Sequence, residues 1–303
     1  MLPCDLSEAI VLSLLAALLW GVGDLLSRFS ARALGPWRSA FYGQVPSLLL
    51  FSACFALSPA ARAEASAAPA LIWVLGLCAA LCSTLGNVCV TRGLIAGAIT
   101  IVIPVTASYG AVSAVLAVLT GERLRGLEAI GIALTVLGVA GAALSPRAAR
   151  LEEARARPHG AVGRGAAGIG WALGAAFSYG VTIWLQGRYI IPRLGPLPAL
   201  WIAGLAGVSI TFTLAKMRRH PMHPPPRRIA LYTFGYGSLT ACAFLCLAFG
   251  LQTGQVAIVA VLSSLCSTIT AILGFIVLRE RLALRQWGGV GLILLGVALI
   301  NAG

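Results

Sequence analysis

The segment G-E-R-L-R-G-L-E-A-I-G-I-A-L-T-V-L-G-V-A, Gly121 to Ala140, lies over R-E-R-L-A-L-R-Q-W-G-G-V-G-L-I-L-L-G-V-A, Arg279 to Ala298, at a constant shift of 158. Glu122 meets Glu280, Gly131 meets Gly289 and Gly138 meets Gly296. Upstream, A-L-G-P (Ala33 to Pro36) matches R-L-G-P (Arg193 to Pro196), and Gly93 and Gly97 match Gly250 and Gly254, at shifts of 160 and 157 that need only small insertions. The chain is therefore a duplication, and whatever one half folds into the other must repeat.

Composition says what that unit is made of. Of the 303 residues, 59% are hydrophobic and only 10% charged, a balance no ordinary soluble domain shows. Apolar runs near the ~20 residues needed to cross a bilayer recur along the whole chain. A backbone in hydrocarbon must satisfy its hydrogen bonds within each helix. The runs predict ten: Ala9 to Phe29, Ser39 to Leu57, Leu71 to Thr91, Ala98 to Leu119, Leu127 to Leu144, Gly168 to Tyr189, Leu197 to Ala215, Ile229 to Gly250, Val256 to Leu278 and Gln286 to Ala302. The first follows Asp5 and Glu8 rather than a basic segment, unlike a cleaved signal peptide. The one polar linker is Ser145 to Ala167, with Arg147, Arg150, Glu152, Glu153, Arg155, Arg157 and Pro158. Residues 1–144 and 168–303 then each hold five helices, joined by 145–167. An odd number sends the second copy into the membrane in the opposite sense. The expected fold is an all-α integral membrane protein of ten transmembrane helices arranged as two inverted five-helix repeats.

Basic residues are unevenly divided between the two ends of this bundle. One set of connections holds seventeen, from Arg28, Arg32, Arg38 and Arg92 through the 145–167 linker to Arg279, Arg281 and Arg285; the other holds Arg62, Arg123, Arg125, Arg188 and Arg193. Basic flanks stay in the cytoplasm, so this bias places both termini outside for an even helix count. The net charge of +13 comes from 21 Arg and one Lys against nine acids, and sits in short connections where anionic lipid head groups, not nucleic acid, are the partner. Seven of the eight Cys lie in apolar runs and read as small packing residues. With His159, His220 and His223 all in loops, no metal and no cofactor is expected. No P-loop is present for ATP hydrolysis.

The W-G near the end of the first helix (Trp20, Gly21), the G-P before the second, the A-G-A-I-T-I-V-I-P-V stretch (Ala96 to Val105) and the G-E-R-L and R-E-R-L turns coincide in order across both halves. In this the chain resembles the EamA branch of the drug/metabolite transporter superfamily over essentially its whole length. The resemblance implies a carrier with a central cavity lined mainly by helices one, three, four, six, eight and nine, helices five and ten being peripheral. It also implies alternating access for small polar metabolites, amino acids or drugs, and termini on the cytoplasmic side, opposite to the charge bias.

Asp24 is the only carboxylate well inside any span, and intramembrane ionisable groups are costly enough to be functional candidates by default. Its alternative use is an ion pair with Arg28 at i, i+4. The matching place in the second half falls near Thr182 or Ile183, so the repeated fold does not demand the charge. Trp20 and Ser264 complete the substrate-binding candidates with Asn87, Arg92, Tyr109, Tyr179, Trp184 and Tyr236. Arg92 can take a carboxylate or phosphate, or reach the interface. Asn87 can bond a solute or a neighbouring helix. Tyr109, Tyr179, Trp184 and Tyr236 offer aromatic faces with polar tips, suited to an amphipathic or cationic solute, and Tyr109 and Tyr179 fall near mid-span, away from interfacial belts. Pro104 and the hydroxyls of Ser263, Ser264, Ser267, Thr268 and Thr270 permit bending of helices four and nine. Gly131, Gly138, Gly289 and Gly296 mark close packing of helices five and ten, and Glu122 and Glu280 suit the entrances to those helices.

The expected function is a secondary transporter, possible proton or cation coupling included, in a bacterial cytoplasmic membrane. The rival is a lipid flippase or carrier accessory subunit whose arginine-rich loops grip anionic head groups. An intramembrane enzyme is disfavoured because no catalytic set can be assembled in the spans, and no catalytic residue is assigned.

Overall fold

The computed structural model describes residues 3–96, 102, 105–143, 164–217 and 222–278, with 288, 289, 291, 292, 295, 296, 298 and 299 of the last predicted span. Among them every regular element is a helix. The elements are α1 (Pro3–Leu34), α2 (Pro36–Leu57), α3 (Pro59–Ala67), α4 (Ala70–Ala96), α5 (Tyr109–Leu119), α6 (Gly126–Ala143), α7 (Arg164–Leu185) continued by a π turn (Gln186–Ile190) and α8 (Ile191–Leu194), α9 (Pro196–Met217), α10 (Arg227–Gln252), α11 (Val256–Ser263) and α12 (Cys266–Leu278).

Six of the described helical stretches are long and apolar enough to cross a membrane: Leu6–Leu34, Trp37–Leu57, Ala70–Val90, Gly168–Leu194, Pro196–Met217 and Arg227–Gln252. Shorter apolar helices cover Val105–Leu119, Gly126–Gly138 and Val256–Thr270. Large apolar side chains such as Leu18, Leu49, Leu71, Val74, Leu77 and Leu85 point outward, as suits lipid rather than water. The core inside them is built from small residues, Ala16, Ala17, Ala79, Ala80, Ala172, Ala175, Ala176, Ala241 and Ala243, which let the helix backbones approach.

The packing repeats the duplication. α1 pairs with α10 and α4 with α7; α2 with α10 and α9 with α4; α1 with α12 and α7 with α5. Each pairing has its equivalent when the two halves are exchanged. Gly296 packs directly against the Gly131 carbonyl and Thr135, which brings the fifth and tenth predicted spans together as their small residues suggested. Pro104, Glu280 and residues 145–163 of the linker fall outside the described residues, and its last four, from Arg164, already belong to α7.

Two features depart from the sequence pattern. α1 runs five residues past Phe29, because Ser30, polar and apparently terminal, is buried in a chain of hydroxyls. Ser39 Oγ donates to Ser30 Oγ at 2.8 Å, Ser30 Oγ pairs with Thr233 Oγ1 at 2.7 Å, and Thr233 Oγ1 donates to Ile229 O at 2.8 Å. This chain ties α1, α2 and α10 together at the arginine-rich end. Ser30→Ala removes the middle member and leaves the Ser39 proton without an acceptor, at an expected cost of about 1–3 kcal/mol, to be read as a lower unfolding temperature in detergent. The second departure is α3, a short helix in what looked like a plain connection. Pro59 opens it and the Ser58 hydroxyl accepts from Ala61 N at 3.2 Å.

Candidate functional site

The extension of α1 changes the place of Asp24 along its helix. With the helix ending at Leu34 rather than Phe29, ten residues, about 15 Å of helix, lie between Asp24 and that end. Arg32 stands exposed in the last turn of that stretch. Arg28's side chain is not among those described. The partner the structure gives Asp24 is Thr270 of α12, whose Oγ1 lies 3.2 Å from Asp24 Oδ2.

Thr270 is held there by a break in the ninth predicted span. The apolar run Val256 to Leu278 is two helices, interrupted at Ser264 and Leu265, where the turn tightens: Ser264 N is shared between Ala260 O and Val261 O, both at 3.2 Å, and Leu265 N bonds Leu262 O, three residues back, at 3.2 Å. The serines take carbonyls of their own chain, Ser263 Oγ from Ala260 at 3.0 Å, Ser264 Oγ from Val261 at 2.7 Å and Ser267 Oγ from Ser264 at 3.2 Å. Hydroxyls used this way bend or interrupt helices. The first half repeats the device. Ser108 Oγ donates to Val105 O at 2.6 Å and Ser108 N to the same carbonyl at 3.2 Å, just before α5 begins.

The two breaks face each other across the bundle. Tyr109 follows the first, Cys266 the second, and Tyr109 Oη lies 3.9 Å from Cys266 Sγ. Tyr179 of α7 meets Tyr109 edge-on, ring centroids 6.3 Å apart. Asp24 lies within electrostatic range of Tyr109, Tyr179 and Cys266. One turn back on α1, Trp20 packs edge-on against Phe244 of α10, centroids 5.1 Å apart. Groups from four helices, α1, α5, α7 and α12, thus lie around the carboxylate, and the residue is nonetheless exposed. One acid, aromatic rings and interrupted helices within the spans are what solute sites of secondary carriers are built from.

The family model for EamA-like transporters matches residues 7–144 and again 166–302. The chain belongs to the EamA family. It is thus a member of the drug/metabolite transporter superfamily. A solved crystal structure superposes on it with a TM-score of 0.75, covering 97% of this chain and 96% of its own, at 19% identity. At that identity the likeness establishes the fold. No curated protein matches the chain in sequence.

In this EamA protein the other candidate residues are spread over several helices. Arg92, exposed at the end of α4, lays its guanidinium over the Trp171 ring at 5.0 Å from the centroid. Asn87 is exposed and donates to Ser83 O at 3.1 Å. Trp184 is engaged at the arginine-poor end, its Nε1 donating to Thr120 Oγ1 at 3.1 Å and its ring meeting Tyr189. Tyr236 donates a short hydrogen bond to the Ser39 carbonyl, tying α10 to α2 near the buried hydroxyl chain. Ser264 is buried and bonded to its own helix, so its contribution is the break rather than an open hydroxyl. Near the place of Asp24 in the second half, Thr182 and Ile183 are both buried, and Thr182 donates to Ser178 O and toward Ala79 O, packed between α7 and α4.

Residue reasoning missed Thr270 as the partner of Asp24, and it missed Phe244. Thr270 was one of five hydroxyls on one helix, and which of them faces Asp24 depends on the break at Ser264. Glu122 was assigned to its own helix. That duty falls to Glu128, whose Oε2 accepts from Arg125 N at 2.8 Å, while Glu122 Oε1 accepts from Ala257 N of α11 at 3.0 Å.

Proposed function

We propose that this EamA protein is a ten-span secondary transporter, built as inverted repeats of residues 1–144 and 168–303, with Asp24 the group that takes a proton or the cationic part of a small polar solute. The solute class is small metabolites, amino acids or drugs bearing a positive charge, and the membrane is the bacterial cytoplasmic membrane. The observation that carries this reading is the position of Asp24: exposed although it stands within an apolar span, bonded to Thr270, and within electrostatic range of Cys266, Tyr109 and Tyr179. A charge within a span costs free energy, and the second half carries none at the matching place, near Thr182 or Ile183. Alternating access then follows from the paired equivalents of the fold, one half rocking against the other around the fixed site. No enzymatic step is assigned.

The test is counterflow in proteoliposomes with a panel of amines, amino acids and sugars. Exchange is expected for solutes that carry an ammonium group and none for neutral sugars. Transbilayer movement of labelled lipid with no solute exchange would replace this reading by the flippase one.

A further inference from the structure

At the arginine-poor end three segments meet: the Thr120–Arg125 turn, the π turn Gln186–Ile190 and the start of α11. α11 is the most deeply packed element described, no residue from Val256 to Ser263 being more than 2% exposed. The first amides of a helix have no partner within it. Here Ala257 N donates to Glu122 Oε1 at 3.0 Å, and the Val256 amide acts on the same carboxyl. The contact joins the two halves of the duplication, 135 residues apart. Gly187 of the π turn gives Val256 room to come against it, since a Cβ there would stand 2.6 Å from Val256 Cγ2. Arg188 on the same turn donates to Thr120 O at 3.1 Å and faces Glu122. The remaining charged groups around it are Glu128 on α6 and Arg123 and Arg125 in its own turn; α11 contributes amides alone.

We propose that Glu122 is a second proton site, a latch that holds the arginine-poor end of the cavity closed while it sits on the start of α11, and that releases its proton to water when this end opens. This rests on the alternating-access reading above. A protonated carboxyl still accepts the Ala257 amide on its carbonyl oxygen, so the latch survives neutralisation. What it does not tolerate is an uncompensated charge in the closed position. Burial pushes the Glu122 carboxyl up from 4.5 to about 7, against the pull of the Ala257 and Val256 amides and of Arg188, with Glu128 adding to the rise. In the open state the hydrated carboxyl returns toward 4.5. The closed state therefore binds the proton more tightly. Its extra stability is fully present below the open-state value and is lost as pH rises through about 7. Acid holds this end shut and alkali frees it.

The experiment places spin labels at Arg123, beside Glu122, and Gln252, shortly before α11, both exposed, in full-length protein in nanodiscs with the native cysteines replaced. With no solute present, the closed-to-open ratio is expected to fall by about tenfold or more between pH 5 and pH 8. Glu122→Gln, which cannot ionise, should keep the short distance at every pH, and Glu122→Ala should show the long distance at every pH. A native distance distribution that ignores pH overturns the latch without recourse to any variant, as does a Gln variant that retains the native response. Loss of solute exchange in proteoliposomes with this pH response intact would instead count against the transport reading alone.

Discussion

Asp24→Asn is expected to lower kcat/KM for a cationic solute by about 10- to 100-fold while leaving the fold in place. Hydrogen bonds to a charged group contribute about 1.5–3 kcal/mol, and each 1.4 kcal/mol is tenfold. Asn has the shape of Asp, and its amide can donate to Thr270 Oγ1, so the contact between α1 and α12 survives and only the charge is removed. The hydrogen accounting at Thr270 sharpens this. Its single hydroxyl proton has three acceptors within reach: Cys266 O at 2.8 Å, Asp24 Oδ2 at 3.2 Å and Gly21 O at 3.4 Å. While the proton stays on the nearest of these, Asp24 bonds Thr270 only as a protonated donor. An ionised Asp24 must draw the hydroxyl away from Cys266 or find a cation. Solute ammonium and proton thus compete for one oxygen pair, and the Asn variant should lose both the affinity and the part of the pH dependence due to this competition. Initial rates of exchange across pH check it. Undiminished rates with an unchanged pH profile would make Asp24 a packing residue.

The duplication and the apolar spans were legible because they are written in local, repeated patterns: twenty aligned residues around G-E-R-L and R-E-R-L, and runs of membrane length. Asp24 was legible for the opposite reason, as the one acid in an apolar context. What pattern could not give is everything that depends on a partner far along the chain. Ser30 looked like the polar end of the first helix until its contacts with Ser39 and Thr233 made it core. The run from Val256 to Leu278 is uniformly apolar, so nothing in its periodicity marks the interruption at Ser264 and Leu265, which comes from serine hydroxyls taking backbone carbonyls. Tyr236 and Trp184 had the right chemistry for a solute site, yet both are engaged elsewhere, on Ser39 and on Thr120. Glu122 suited the helix beside it, but the nearby Glu128 already fills that role, and the amides of α11 lie 135 residues on.

Gly21→Ala is expected to impair transport more than stability. Gly21 precedes Asp24 by three residues, so both face α12. A Cβ at Gly21 would stand 2.5 Å from Ile269 Cγ2, 2.8 Å from Ile269 Cβ and 3.4 Å from Cys266 O. Rotating Ile269 moves the first of these atoms, but its Cβ is fixed to the backbone, so α1 and α12 must separate. Overpacking of this kind costs about 1–3 kcal/mol. Alanine returns up to about 1 kcal/mol of helix propensity, leaving a net loss in unfolding free energy of about 0–2 kcal/mol. The separation acts in full on the Asp24–Thr270 contact, which at 3.2 Å has no slack before it ceases to be a hydrogen bond. Exchange should therefore fall severalfold or more in a protein that still folds. Ile269→Ala makes the missing room, and in the double variant most of the lost exchange should return, with a coupling of about 0.5–3 kcal/mol between the two positions. A Gly21→Ala variant with native exchange, or a double variant no better than the single one, would show that the approach of α1 to α12 does not set the geometry at Asp24.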